Sequence, residues 1–412
     1  MQERIRPHFQ GIESHSVLPS CKRLVAVVDE INPSRPALQH VSVQCCGTSS
    51  PSFSAVHCRS NLTELIVAIA IRRADLEGDR ELLIHAVAAY INPKADAVRF
   101  DWMYQQNPAG KARAWIATEQ GSREFVGMAS AFPRRARVGG CTVSVWVLGD
   151  FCVMDKYRSL GPALQLQRAI IDECVEQRIG FYYDFPSMSM MAIYQRLKVI
   201  GTTRMIRLAR PLRLDRQVQH FIRWRVLARW VSHVGTFLLN LTLPRVQTVA
   251  GVTVGMHGGP FGHEFTELAE TVGERHGGCL ERNADYLNWR YSDQTGSRYV
   301  TMTARRGTRL TAYVVFHRTS DDAEIVDLFG AEDFLVFQYL LATLLRDLRR
   351  QGIMTVSVPI IVSHPWIEVF RNVGFKDREE SPMVIAWSRG APDGVVSQTE
   401  ALQLVMAGDR DC

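Results

Sequence analysis

Val153-Met-Asp-Lys-Tyr-Arg158-Ser-Leu-Gly161-Pro-Ala163 is the stretch on which the fold turns. It joins an apolar strand, Val143 to Val153, to a segment carrying Leu164, Leu166, Ile170, Ile171 and Val175 at helical spacing. A helix that opens directly after a glycine-containing turn aims its free N–H groups and the positive end of its dipole at one point, where anions are favoured. Gly161 permits close backbone approach, and Arg158 adds a guanidinium able to fork two phosphate oxygens. The pattern is that of a pyrophosphate cradle.

The stretch resembles the coenzyme A loop of the GNAT (N-acetyltransferase) superfamily, Val-x-Pro-x-x-Arg-x-x-Gly-x-Gly/Ala, with Val153, Arg158, Gly161 and Ala163 on the matching positions. Asp155 stands where proline is usual, and Pro162 removes one amide from the cradle, although proline is sterically welcome early in a helix. The resemblance implies acetyl-CoA as co-substrate, no metal, and a cofactor seat formed by Phe151, Val153, Arg158, Ser159, Leu160, Gly161 and Ala163.

Composition bounds the rest. The chain has 412 residues, 46% apolar and 22% charged, enough for two domains with cores of their own. No run of eighteen apolar residues and no apolar signal core at Met1–Gln10 are present, and nine cysteines lack Cys-x-x-Cys spacing, so a reducing, cytoplasmic setting is expected. Net charge is +6, but Arg204 to Trp230 holds eight arginines against Asp215, a net +7 that leaves about −1 elsewhere. A general nucleic-acid-coating role is therefore not expected. The basic stretch 217–243, with Trp224 and Trp230, suits either a linker helix packed between domains or a peripheral helix at the inner face of a membrane. Its arginines would also suit a phosphorylated acceptor such as a nucleotide sugar.

Along the chain, 1–65 reads as a loosely ordered extension rich in proline and serine. An α/β pattern runs from 66 to 215, a basic linker with a Gly-rich connection from 216 to 261, a second α/β pattern from 262 to 390, and a tail from 391 to 412. The order of elements recurs between the halves, and Trp102-Met-Tyr104 and Trp289-Arg-Tyr291 fall at equivalent points, which indicates a duplication. The expected class is α/β: two tandem GNAT-like domains, each a mixed, mostly antiparallel sheet flanked by helices. The second half enters its corresponding helix through Gly330-Ala-Glu-Asp-Phe, whose acidic residues would repel pyrophosphate, so a single cofactor site is expected, in the first half.

The resemblance implies direct transfer of an acyl group from CoA to an amine of a small-molecule or glycan-precursor acceptor. Tyr194, in Tyr-Gln-Arg-Leu, matches the tyrosine that protonates the departing thiolate, although Lys198 and Val199 replace the usual Gly-Phe that follows. Asp150, three residues before Val153, is the candidate base, and Asp184, at the end of the next strand, is a further carboxylate without a motif. Two other readings stay open at this point: an aminoacyl or peptidyl transferase of the related double-domain class, and a catalytically inactive binding protein.

Overall fold

The computed structural model describes residues 68–158, 160–199, 201–213, 248–276, 278–291, 298–331, 334–387 and 402–410. The extension 1–65 and the basic stretch 217–243 lie outside the described residues. The first half contains β1 (Ile69–Arg73), α1 (Arg80–Tyr90), α2 (Ala97–Phe100) with a wide turn over Asp101–Gln105, β2 (Arg113–Glu119), β3 (Phe125–Val138), β4 (Cys141–Val153), α3 (Leu160–Glu176), β5 (Phe181–Asp184), α4 (Met188–Arg196) and β6 (Thr202–Pro211). The second contains β7 (Val252–His257), α5 (His263–Arg275), β8 (Gly278–Leu280), α6 (Ala284–Arg290), β9 (Tyr299–Arg306), β10 (Arg309–Arg318), β11 (Asp322–Gly330), α7 (Phe334–Arg350), β12 (Thr355–Ile361), α8 (Ile367–Asn372) and β13 (Lys376–Trp387).

All the strands join one 13-stranded sheet, in the order β1-β2-β3-β4-β5-β13-β6-β12-β11-β10-β9-β7, with β8 on the side of β3. Neighbours are antiparallel except β4 with β5 and β11 with β12. The centre of that order shows the relation between the halves. The last strand of the second half, β13, lies against β5 of the first, and β6 of the first lies against β12 of the second. Each half thus lends its final strand to the other, about a pseudo-twofold through the β6–β13 pair. Trp102 and Trp289 obey the same symmetry. Each indole Nε1 donates to the other's backbone oxygen at 2.9 Å, with the rings stacked 5.1 Å apart. Reciprocal bonds between matched residues are what a duplicated element produces when its copies meet on a twofold.

Several local expectations shift. The Gly-rich connection contains an edge strand, β7, because Val252–His257 finds the free edge of β9. On α3 the buried stripe is Ala163, Leu166, Ile170 and Cys174, one step round from the Leu164–Ile171–Val175 face; Val175 is exposed. Arg204 and Arg207 of the arginine-rich run are cross-strand partners of Glu380 and Glu379 on β13, both at 2.7 Å. Within the stretch read as a tail, residues 402–410 supply Leu402, Leu404, Val405 and Met406 to the core. The apolar residues there, Leu402 to Met406, form too short a run to read as an element from the sequence. One apolar cluster spans both halves and a smaller one lies between the first half's sheet and α3.

Candidate active site

The site is built on a fault in β4. Up to Val147 its odd residues, Val145 and Val147, face the larger core and its even residues, Trp146 and Leu148, face α3; after Asp150 the parity reverses, with Cys152 on the first side and Phe151 and Val153 on the second. The register against β3 slips at the same place, Ser130 facing Gly149 and Met128 facing Cys152. This is a β-bulge, and Asp150 takes its left-handed conformation, with φ 41°. Beside the bulge the sheet opens. β4 pairs with β5 only over Val145–Val147, against Phe181–Tyr183, so the amides and carbonyls of Leu148–Val153 on that edge meet no strand among the described residues. At the far end of this edge the chain turns through Asp155–Tyr157 into α3. The opposite edge is tight: Gly127 faces Val153, and a Cβ on it would stand 2.5 Å from the Cys152 carbonyl oxygen.

Each predicted residue can now be placed. Phe151 and Val153 sit on the open edge and pack towards α3. Gly161 is exposed in the first turn of α3, and Ala163 is buried against the sheet. Pro162 sits between them, so the helix start presents one amide fewer. Leu160 opens the helix, while Ser159 lies outside the described residues. Arg158 is exposed and its guanidinium pairs with Asp155 at 2.9 Å. The residue that replaces the usual proline therefore already engages Arg158. A surface pair of this kind contributes about 0–1 kcal/mol.

Asp150 and Tyr194 are not brought together: Asp150 turns toward the larger core and Tyr194 packs in the cluster around α3. Asp150 is buried and held by a two-pronged pair with Arg99, both bonds 2.9 Å, and the Tyr104 hydroxyl donates to it at 2.9 Å with Ser130 Oγ beside that hydroxyl. The second half repeats the arrangement. Its β11 slips against β10 between Ile325 and Asp327, and buried Asp327 accepts from Arg282 at 3.0 Å and from Tyr313 at 3.3 Å. The Asp–Arg pair thus occurs beside a bulge in both halves, including the one with an acidic helix entry.

Tyr194 donates to Asp184 Oδ2 at 2.6 Å. Asp184 lies one residue past the last β4–β5 pair, at the mouth of the opening. Burial pushes its carboxyl up to about 6, against the opposing pull of the Tyr194 hydrogen bond, a backbone N–H and the Arg410 guanidinium. Burial, reinforced by the charge of Asp184, also raises the Tyr194 phenol well above its ordinary value. Arg410 comes from the C-terminal segment, with its guanidinium over the Phe185 ring at 6.0 Å. Arg99, Tyr104 and Arg410 escape sequence reasoning because their partners lie far away in the chain; Tyr104 alone had a signal, the repeated Trp-x-Tyr. A cavity of about 570 Å³ lined by Lys111, Arg113, Ser144 and Trp146 lies at the other end of β4, away from this chemistry. Among the described residues no cluster of three or more His, Cys, Asp or Glu side chains is arranged to hold a metal, and no helix is long and apolar enough to cross a membrane.

Residues 70–198 match the family model of the acetyltransferase (GNAT) domain. No curated protein matches the chain. Solved structures with the same fold include a GCN5-related N-acetyltransferase from Anabaena variabilis, 13% identical over 78% of this chain and 73% of that one, with a TM-score of 0.57. A probable N-acyltransferase from Enterococcus faecalis is 11% identical with the same coverage and a TM-score of 0.56. A GCN5-related N-acetyltransferase from Kribbella flavida is 14% identical over 77% and 71%, with a TM-score of 0.50.

Proposed function

We propose that the chain is an N-acyltransferase of the GNAT type, its residues 70–198 matching the acetyltransferase (GNAT) domain, and that it moves an acetyl or other short acyl group from CoA to an amine of a small-molecule or glycan-precursor acceptor by direct attack on the thioester. The observation that carries this reading is the opening of β4 from β5, with a helix start at one end and the Asp184–Tyr194 pair at its mouth. In this reading the half spanning 66–215 holds the cofactor and the half spanning 262–390 shapes the acceptor side. The pyrophosphate lies against Arg158 and the first turn of α3, with the amides of Leu160, Gly161 and Ala163. The open edge of β4 accepts the pantetheine arm, and an amide on it polarises the thioester carbonyl as negative charge develops on its oxygen.

Asp184 is the base in this scheme. Its raised carboxyl is ionised above about pH 6 and suited, when an amine that enters neutral has attacked, to taking the proton from the nitrogen as that becomes positively charged. The amine nitrogen bonds to the carbonyl carbon, the C–S bond breaks, and the thiolate takes the Tyr194 proton. The proton collected by Asp184 then passes to the phenolate along the 2.6 Å hydrogen bond and restores the pair. A phenol whose pKa is raised is a poor acid alone, and the carboxyl behind it compensates. Asp150 acts here as the clamp on the bulge, since Arg99 already engages both its oxygens.

The test is calorimetric titration with acetyl-CoA of the wild type and of Arg158→Ala and Gly161→Glu, followed by turnover with amino-sugar acceptors. Saturable binding lost in both variants supports the site. A folded wild-type protein that binds no acetyl-CoA at millimolar concentration overturns it, and leaves aminoacyl transfer or a non-catalytic binding role.

A further inference from the structure

The second half has an opening of its own. β11 runs parallel to β12 for three residues only, Asp322–Glu324 against Thr355–Ser357, as β4 does to β5, and the two strands then part. This second opening is filled by the chain itself. Met406 bridges Ile360 on one wall, the Ile361 N–H donates to the Val405 carbonyl at 3.1 Å, and on the other wall the Leu328 N–H points to Met406 Sδ at 3.1 Å. Leu402, Leu404, Val405 and Met406 are buried in it. Gly408 passes so close to the Tyr291 hydroxyl and the Val326 carbonyl that no side chain fits there. Asp409 anchors the end, accepting from Arg282 at 2.6 Å, from the Met406 N–H at 3.0 Å and from Arg134 of the first half at 3.4 Å, with both arginines and the carboxylate about 1–2% exposed. The Tyr183 hydroxyl donates to the Asp409 carbonyl at 3.0 Å.

We propose that the cofactor cleft of the second half has become a peptide-binding seat for the chain's own C-terminal segment, residues 402–410, which lies where the acyl-CoA arm lies in the first half. The equivalence to a cofactor rests on the reading of the first cleft given above; the seat itself rests on the bonds just described. An extended backbone suits such a cleft because it pairs with one of the two parted strands, β12, as an added strand does at any open sheet edge, while the Met406 side chain reaches the other. The acidic entry Gly330-Ala-Glu-Asp-Phe agrees with this occupant, because a peptide needs no pyrophosphate cradle. The chain therefore binds one cofactor, not two, and the seat recognises the segment in trans.

The experiment uses the chain ending at residue 401 and a synthetic peptide of residues 402–412. The shortened chain is expected to melt several degrees below the full chain. The peptide should bind one to one and restore the melting temperature, and the Asp409→Ala peptide should bind at least tenfold more weakly. A shortened chain that melts like the full one, or equal binding of both peptides, overturns the seat. Should the shortened chain fail to fold, full-length Asp409→Asn is examined by hydrogen exchange. At least tenfold faster exchange at the Leu328 and Ile361 amides supports the seat, and unchanged protection overturns it. Acetyl-CoA titrated into the full chain should bind with a stoichiometry of one. Two per chain overturns the occupied cleft, whereas none overturns the proposed activity and leaves the peptide measurements to decide the seat.

Discussion

At the proposed cradle, one residue sets how available the Arg158 charge is. Asp155 holds Arg158 in an exposed pair, so Asp155→Asn should strengthen acetyl-CoA binding a few-fold, while Arg158→Ala should weaken it roughly 10- to 100-fold, the value of a charge-assisted hydrogen bond, both by calorimetry. At the mouth, Asp184 must be ionised to act as a base. Activity is therefore expected to fall as pH drops through about 6. The Tyr194 hydrogen bond stabilises the charged form, so Tyr194→Phe should move that acid limb to higher pH and slow turnover above it; Arg410→Gln should move it the same way through loss of a nearby positive charge. A pH–rate profile that stays in place in both variants would remove Asp184 from the scheme. The matching residue Tyr194 was legible through a motif. Asp184 reads in the sequence only as a strand-end carboxylate, and the candidate base Asp150 gives no sign there of Arg99, 51 residues away, which pairs with it.

The bulge in β4 is the element on which the cleft depends. It reverses the side-chain alternation, and Asp150 sits in a left-handed conformation that a non-glycine residue adopts only when its surroundings compel it. Arg99→Leu leaves that carboxylate buried with its main partner gone, and the expected loss is about 3–5 kcal/mol by chemical denaturation. Adding Asp150→Asn should recover part of this, since the uncompensated charge is then removed; no recovery would assign Arg99 a role beyond the pair. A mostly apolar run gave the extent of β4, and helical spacing gave α3 to within one position of its buried face. Neither could show the bulge, since a single inserted residue leaves a mostly apolar strand still reading as apolar.

On the scale of the whole molecule the halves are interdependent. Because β6 and β13 are exchanged, residues 66–215 expressed alone would lack the strand that covers β5, and 248–412 alone would lack the one that covers β12. Neither piece is expected to give a cooperative melt by itself, whereas co-expression should yield a folded complex; a separately folded half would show the exchange to be dispensable. The Trp102–Trp289 contact should register in the intact chain: Trp102→Ala is expected to cost about 3–5 kcal/mol, typical of a large buried aromatic, with the loss measured by denaturant unfolding.

The sequence by itself determined the α/β class and the duplication, and it placed the glycine turn of the proposed cofactor site in one half alone. These are local properties: periodicity, turn chemistry and the charge at a helix start are all written within a few residues. Only the tertiary structure decided which strand completes which half, that Asp150 pairs with Arg99 and Asp184 with Tyr194, and that the C-terminal segment belongs to the core. Those outcomes join residues such as Trp102 and Trp289, 187 positions apart, or Arg134 and Asp409, 275 positions apart. The choice of partner there depends on which unpaired edge or uncompensated charge remains when the sheet closes, and no spacing along the chain encodes it.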